Sequence, residues 1–437
     1  MPFVVGGSFL ESSKRRYPDF RARQELGRCY DDTVVPAFNF LATENNRAVR
    51  TNVRTNVEVR MQLKPFLLDM WLDKYEHDIE FNLASSEGPR WTVNEVLNLA
   101  GEEERQRFLN HELVYGHPAG ADGLREAIAE MHGVSAESVL VMTGASEALL
   151  VLMWLAAEPG ANVIMPRPGY PPFSALPESL GIEIRFYGIR RENNFSIDVE
   201  EIIKLADERT KLVLVNSPHN PTGATMSDAE MDRLHEFTSM RGIQLVSDEV
   251  YHPIYYGRKT QSASRLPQAT VIHDFSKAFA LAGVRTGWMI EHDRKRRERY
   301  VNARTYFSIS NNSAGEMLAE IAMRQRAVVL GKTQEAATLN LEHLDRFLAT
   351  HRETLGWIRP QGGITAFPWL LSGENARPFC QAAAEQGILL APGDCFDSPS
   401  HFRLGFATAG HKFSQALDRL SEFVTNWPAK SRDGVSA

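Results

Sequence analysis

One lysine poses the first chemical question. Lys277 lies in Ile272-His-Asp-Phe-Ser-Lys-Ala-Phe-Ala-Leu-Ala-Gly-Val-Arg-Thr-Gly-Trp288, after Ala269–His273, which reads as a short buried strand, and before the apolar run Thr286–Ile290. An amine held between two buried strands is disfavoured in its charged form by desolvation. The plain alternative is a lysine that snorkels from a strand end to water. The chemical one is an amine of depressed pKa that forms an imine with an aldehyde cofactor.

Other polar residues also stand where strands should end. Gly144-Ala145-Ser146 reads as a strand-to-helix turn, whose free N–H groups and helix dipole suit a phosphate. Many strand–helix turns look like this one. Asn216-Ser-Pro-His-Asn-Pro-Thr-Gly223 offers Asn220 from a proline-fixed turn, and Ser247-Asp248-Glu249-Val250-Tyr251 places Asp248 at another strand end. A buried carboxylate there needs a cation, and a protonated pyridine nitrogen is one.

The elements that must position these groups follow from periodicity. Leu63, Phe66, Leu67, Met70 and Trp71 recur at helical spacing, and Thr92 with Glu95 predicts a capping box. Ala121–Met131 reads as an amphipathic helix and Gly144–Met153 as an apolar one. Short apolar strands are expected at Ser138–Met142, Asn162–Met165, Ile182–Phe186, Lys211–Asn216, Ile243–Ser247, Ala269–His273 and Thr286–Ile290. Strands separated by helical stretches imply an α/β fold, a mostly parallel sheet covered by helices on both faces. Helices follow from about Arg294 to Thr350. Strands at Thr365–Leu370, Ile388–Ala391 and Phe402–Phe406 then mix with helices, as in a smaller α+β lobe. The charge run Asp293–Arg299 reads as a solvated helix face.

Composition bounds the function. The chain of 437 residues can bury a large core, and 43% hydrophobic with 24% charged residues is ordinary for a globular protein. A net charge of −7 speaks against general nucleic-acid binding. The longest apolar run, Ala148–Ala157, is too short for a membrane span, and the first residues lack a secretory pattern. Cys29, Cys380 and Cys395 make neither a disulfide framework nor a metal knuckle, so no metal and a cytoplasmic location are expected. Residues 1–62, mildly basic and weakly periodic, read as an extension lying on the body or on a partner subunit. They carry no convincing helix-turn-helix pattern.

Taken together and in order, Tyr115-Gly-His-Pro-Ala-Gly120, Gly144-Ala-Ser146, Pro168-Gly-Tyr170, Asn220-Pro-Thr-Gly223, Asp248-Glu-Val-Tyr251, Ser276-Lys277, Arg285 and Arg403-Leu-Gly-Phe-Ala407 resemble the fold-type I aminotransferases. These class I/II enzymes use pyridoxal 5′-phosphate (PLP), and the resemblance runs from about Leu63 to Phe423. It implies a large PLP-binding domain at 116–317, a small domain from 63–115 and 318–437, and a homodimer with shared sites. The amino group of an α-amino acid would pass to a 2-oxo acid.

Each role carried over by the resemblance is physically sensible. Lys277 would bind the cofactor as a Schiff base and shuttle the α-proton. Asp248 would pair with the pyridine N–H, Tyr170 would stack on the ring, and Asn220 and Tyr251 would reach its hydroxyl oxygen. Ala145, Ser146, Ser276 and Arg285 would hold the phosphate, joined by Tyr115 from the other subunit. Arg403 would take the substrate carboxylate in a bidentate fork. Where the family has Ser or Thr three residues before the lysine, this chain has Asp274. A carboxylate there repels a phosphate, so either the phosphate is held differently or Asp274 points away, and the second is expected.

The stretches Phe81–Gly88, Gly144–Leu149, Ser217–Ala224, Gly362–Pro368 and Leu390–Gly393 also resemble capreomycidine synthase and related PLP enzymes of arginine derivatives. A cyclase, lyase or oxidase on the same scaffold is therefore the alternative reading. A non-catalytic ligand sensor is a more remote one. Within Ala84-Ser-Ser-Glu-Gly88, Ser86 and Glu87 are expected near the substrate, and the Glu87 carboxylate would suit a cationic side chain. Its plain alternative is a solvated turn residue.

Overall fold

The computed structural model describes residues 62–427 apart from 76, 78 and 409–411. The reading of residues 1–62 as an extension therefore falls, but for Gln62, outside the described residues. The strands in chain order are β1 (Phe81–Asn82), β2 (Val139–Met142), β3 (Asn162–Arg167), β4 (Glu183–Gly188), β5 (Thr210–Asn216), β6 (Gln244–Asp248), β7 (Ala269–Asp274) and β8 (Gly287–Ile290). Strands β2 to β8 form one seven-stranded sheet in the order β2-β8-β7-β6-β5-β3-β4. Its central pairs are parallel, and only β8 runs against its two neighbours.

Side chains alternate across these strands, and so feed two cores. Leu140, Met142, Leu212, Leu214, Val246, Ile272 and Met289 pack on one face with Ala148, Leu149 and Leu152. Val139, Val141, Val213, Val215, Leu245, Val271 and Ile290 pack on the other. A parallel sheet buried on both faces explains why the strands read as near-continuous apolar runs.

The helices that matter to the site are α1 (Leu67–Tyr75), α2 (Val93–Asn98), α3 (Glu102–Leu109), α4 (Asp122–His132) and α5 (Gly144–Ala156). The capping box at Thr92 and Glu95 is present, opening α2. Helices at Arg294–Thr305, Ser313–Arg324 and Arg326–Thr350 follow β8, and the first exposes most of its charge run.

Three expectations need correction. Helix α1 forms, but its buried residues are Leu68 and Trp71, whereas Leu63, Leu67 and Met70 are exposed. Pro65 delays the helix, and its face is chosen by a long-range bond, Trp71 Nε1 donating to the Leu390 carbonyl at 2.8 Å. That bond also interrupts the expected strand Ile388–Ala391, which splits into Ile388–Leu389, paired with β1, and Ala391–Pro392. The strand expected at Thr365–Leu370 likewise splits around Phe367-Pro368, since proline has no N–H for a ladder. Among the described residues no helix is long and apolar enough to cross a membrane.

Candidate active site

The carboxyl ends of β5, β6 and β7 open into a cavity of about 270 Å³. Asn216 pairs in register with Asp248, and Asn216 Nδ2 donates to the Asp248 carbonyl at 3.1 Å. The Asn216 side-chain oxygen accepts from the Asn220 N–H at 2.7 Å, so this asparagine, unnoticed in the sequence, fixes the turn carrying Asn220.

Asp248 is 4% exposed, and its carboxylate accepts the Val250 N–H at 3.2 Å. Burial pushes its pKa up to about 7, against that hydrogen bond. A cationic ring N–H facing the cavity would reverse this shift, because an opposite charge favours the ionised form.

The anion end is a corner of backbone. Helix α5 begins at Gly144 with no side-chain cap, leaving first-turn N–H groups free beside Ala145 and Ser146. Gly144 has φ +71°, and a methyl group there would meet Arg285 Nη2 at 3.0 Å. One on Gly287 would lie 2.8 Å from the Gly144 carbonyl carbon, so β8 passes directly against this turn. The turn is held from beneath as well. Thr143 N–H donates to Glu147 at 2.6 Å, and its hydroxyl donates to Asn311, which buried Arg304 also binds at 2.8 Å. Sequence reading passed over Glu147, Arg304 and Asn311; only Glu147, a carboxylate within the apolar stretch of α5, carried a signal.

Lys277 Nζ donates to Ser86 Oγ at 3.0 Å, and Ser86 also hydrogen-bonds Tyr251. Desolvation lowers the lysine pKa, opposed chiefly by the Asp274 charge. Burial raises the Tyr251 phenol to about 12, and likewise that of Tyr170, whose ring stands edge-on to Phe66 and Phe173. Arg403 is 3% exposed. Its Nη1 donates to Asn220 at 3.3 Å and its Nη2 to the Ala84 carbonyl at 2.6 Å, while buried Nε has no partner.

The cavity thus collects an amine, a proton-hungry carboxylate, an anion corner and an incompletely satisfied guanidinium. These groups fit a ligand with an aldehyde, a basic ring nitrogen and a phosphate, beside a carboxylate-bearing substrate. The family model for aminotransferase class I and II matches residues 80–420.

The chain belongs to that family.

A PLP-dependent aminotransferase from Streptococcus suis shares the fold with a TM-score of 0.80 and 26% identity, over 85% of this chain and all of that one. Capreomycidine synthase of Streptomyces vinaceus is 26% identical over 360 residues, 81% of this chain and 92% of its own. An aspartate aminotransferase of Thermotoga maritima is 28% identical over 340 residues, 74% and 87% of the two chains.

In this aminotransferase, Ala145, Ser146, Tyr170, Asn220, Asp248, Tyr251, Ser276, Lys277, Arg285, Arg403, Ser86 and Glu87 all line the one cavity. Tyr115 does not. It is 79% exposed, beside exposed Leu113 and Val114. Asp274 departs from its expected orientation. It stays in the cavity wall, 6% exposed, with Oδ1 accepting the Ser276 N–H at 2.9 Å. Helix α1 adds Leu68, Asp69 and Leu72 to the lining, and Phe66 just before it also contributes. Asp69 was missed because helical spacing does not say which polar residue will meet a cavity.

Proposed function

We propose that this aminotransferase binds PLP in the cavity around Lys277 and moves the amino group of an α-amino acid to a 2-oxo acid, working as a cytoplasmic homodimer. The observation that carries this reading is the meeting of Lys277, Asp248 and Arg403 in one cavity from three separate parts of the chain. Ala145, Ser146, Ser276 and Arg285 would hold the phosphate, and Asn220 and Tyr251 the ring hydroxyl. Bound there, the cofactor supplies the aldehyde that takes the amino group and a ring that accepts electrons.

Arg403 fixes the substrate carboxylate through its unpartnered edge, which sets the α-carbon beside Lys277. Lys277 Nζ, whose charged form burial disfavours, takes the α-proton and returns it. Asp248 keeps a proton on the ring nitrogen. Tyr115, with Leu113 and Val114 around it, would meet a second copy and serve its phosphate. Glu87, with Asp69 across from it, would face the substrate side chain and favour a cationic one.

The similarity to capreomycidine synthase keeps cyclisation as a second reading. Loaded protein is incubated with an amino-acid panel, with and without 2-oxoglutarate, while products are weighed by mass spectrometry and oxygen is followed. A 2-oxo acid formed together with glutamate is the expected result. Ring closure, elimination or oxygen uptake without glutamate would replace transamination.

A further inference from the structure

Asp274 is a charged group of the wrong sign in the anion corner. Its place is fixed by register. It closes β7 opposite Gly287, and Gly287 lies against the turn, since a methyl group on it would also stand 2.9 Å from the Ala145 N–H nitrogen. Arg285 borders the same turn, and Ser276 is tethered to Asp274 through its own N–H. The Ser276 hydroxyl also hydrogen-bonds this carboxyl group, and Asp274 belongs to the cavity wall.

The surrounding charge is nearly balanced before a phosphate enters. Lys277 and Arg285 face Asp274 as cations, and Asp248 faces it from β6 as a second carboxylate. Tyr251, from the loop after β6, and Tyr170, from the loop after β3, face it as neutral phenols. A phosphate dianion adds two negative charges to this buried corner, which Arg285 and the α5 dipole border. Burial already pushes the Asp274 carboxyl up, against the pull of Lys277 and Arg285.

Resting on the cofactor assignment above, we infer that phosphate binding takes up a proton at Asp274, whose carboxyl group in the cavity wall then donates a hydrogen bond to the phosphate. The proton comes from solvent, and it belongs to the carboxyl–phosphate pair as a unit. Asp274 therefore acts as a phosphate donor, doing with a carboxylic acid what a hydroxyl would do, and it makes cofactor retention depend on pH.

Calorimetric titration of the cofactor-free full-length chain with pyridoxamine 5′-phosphate, near pH 8, tests this. Runs in two buffers of different ionisation enthalpy give the number of protons taken up. Wild type should take up about one proton more per site than Asp274→Asn, and also more than Asp274→Ser. With unphosphorylated pyridoxamine the difference should vanish. Above about pH 8 wild-type affinity should weaken by up to about tenfold per pH unit relative to the serine variant. Equal proton uptake in wild type and both variants overturns the inference. No binding of pyridoxamine 5′-phosphate by wild type overturns the cofactor assignment instead.

Discussion

The inner end of the cavity rests on three strand ends in register, with Asp248 and Asp274 almost wholly buried. The outer end is made by α1 and the turn around Glu87, and both Asp69 and Glu87 stand exposed. Charges at the inner end are felt through a poorly screening interior, so each must be matched or neutralised. Those at the outer end are screened by water and are worth much less. On the proposed function, chemistry common to the family would belong at the first, and choice of substrate at the second.

The sharpest break in that contrast is at Lys277. Lys277→Ala should lower turnover by roughly 10⁴-fold or more. Borohydride treatment of the loaded wild type should leave the pyridoxyl mass on the peptide containing Lys277. Its appearance on another lysine would place the chemistry elsewhere.

Asp248→Asn comes next. It should keep the bound cofactor yet slow α-proton exchange more than about tenfold, ~1.4 kcal/mol of barrier. Exchange within tenfold of wild type would mean the carboxylate does not hold the ring proton. The same change reads out burial in the cofactor-free protein. Because the folded carboxyl titrates near 7 and the unfolded one near 3.8, the folded state binds the proton more tightly. Stability from this group is thus full below about pH 4 and lost as pH rises towards 7. The asparagine variant should therefore outlast wild type near pH 8 by an amount on the order of 2–4 kcal/mol, and match it near pH 4. Chemical denaturation at the two pH values decides.

Tyr115 tests whether the inner end is complete in one chain. Mixed Tyr115→Phe and Lys277→Ala proteins should form hybrids with one intact site, recovering up to about a quarter of wild-type activity by random pairing. Proven subunit exchange without recovery would remove Tyr115 from the neighbour's site.

At the outer end the expected effects are smallest. Glu87→Gln should reduce kcat/KM for L-arginine by about tenfold or less, and for L-norleucine hardly at all, because the carboxylate is exposed. Equal losses, or a wild type indifferent to substrate charge, would leave Glu87 a solvated turn residue.

The same divide governs what the sequence disclosed. The inner end was legible because its groups close or closely follow apolar strands, as Asp248 closes β6 and Lys277 follows β7. The seven strands of the main sheet were expected within one or two residues of where they lie. The outer end depends on partners distant in sequence. The face of α1 is decided by Leu390, and Asp69 reaches the cavity only because Trp71 is anchored there. Asp274 was read for its charge but not its constraint, since the Ser276 N–H that holds it inward is a backbone group.

The Trp71–Leu390 bond and the Arg403–Ala84 bond each join groups 319 positions apart. During synthesis, the lysine, both strand-end carboxylates and the turn at 144 have all emerged by the time β8 is complete. The guanidinium and the anchor for α1 come a hundred residues or more later. A nascent chain can thus assemble its cofactor cradle while its amino-acid clamp is still untranslated, and truncation near the carboxyl terminus should strip substrate binding before it strips cofactor binding.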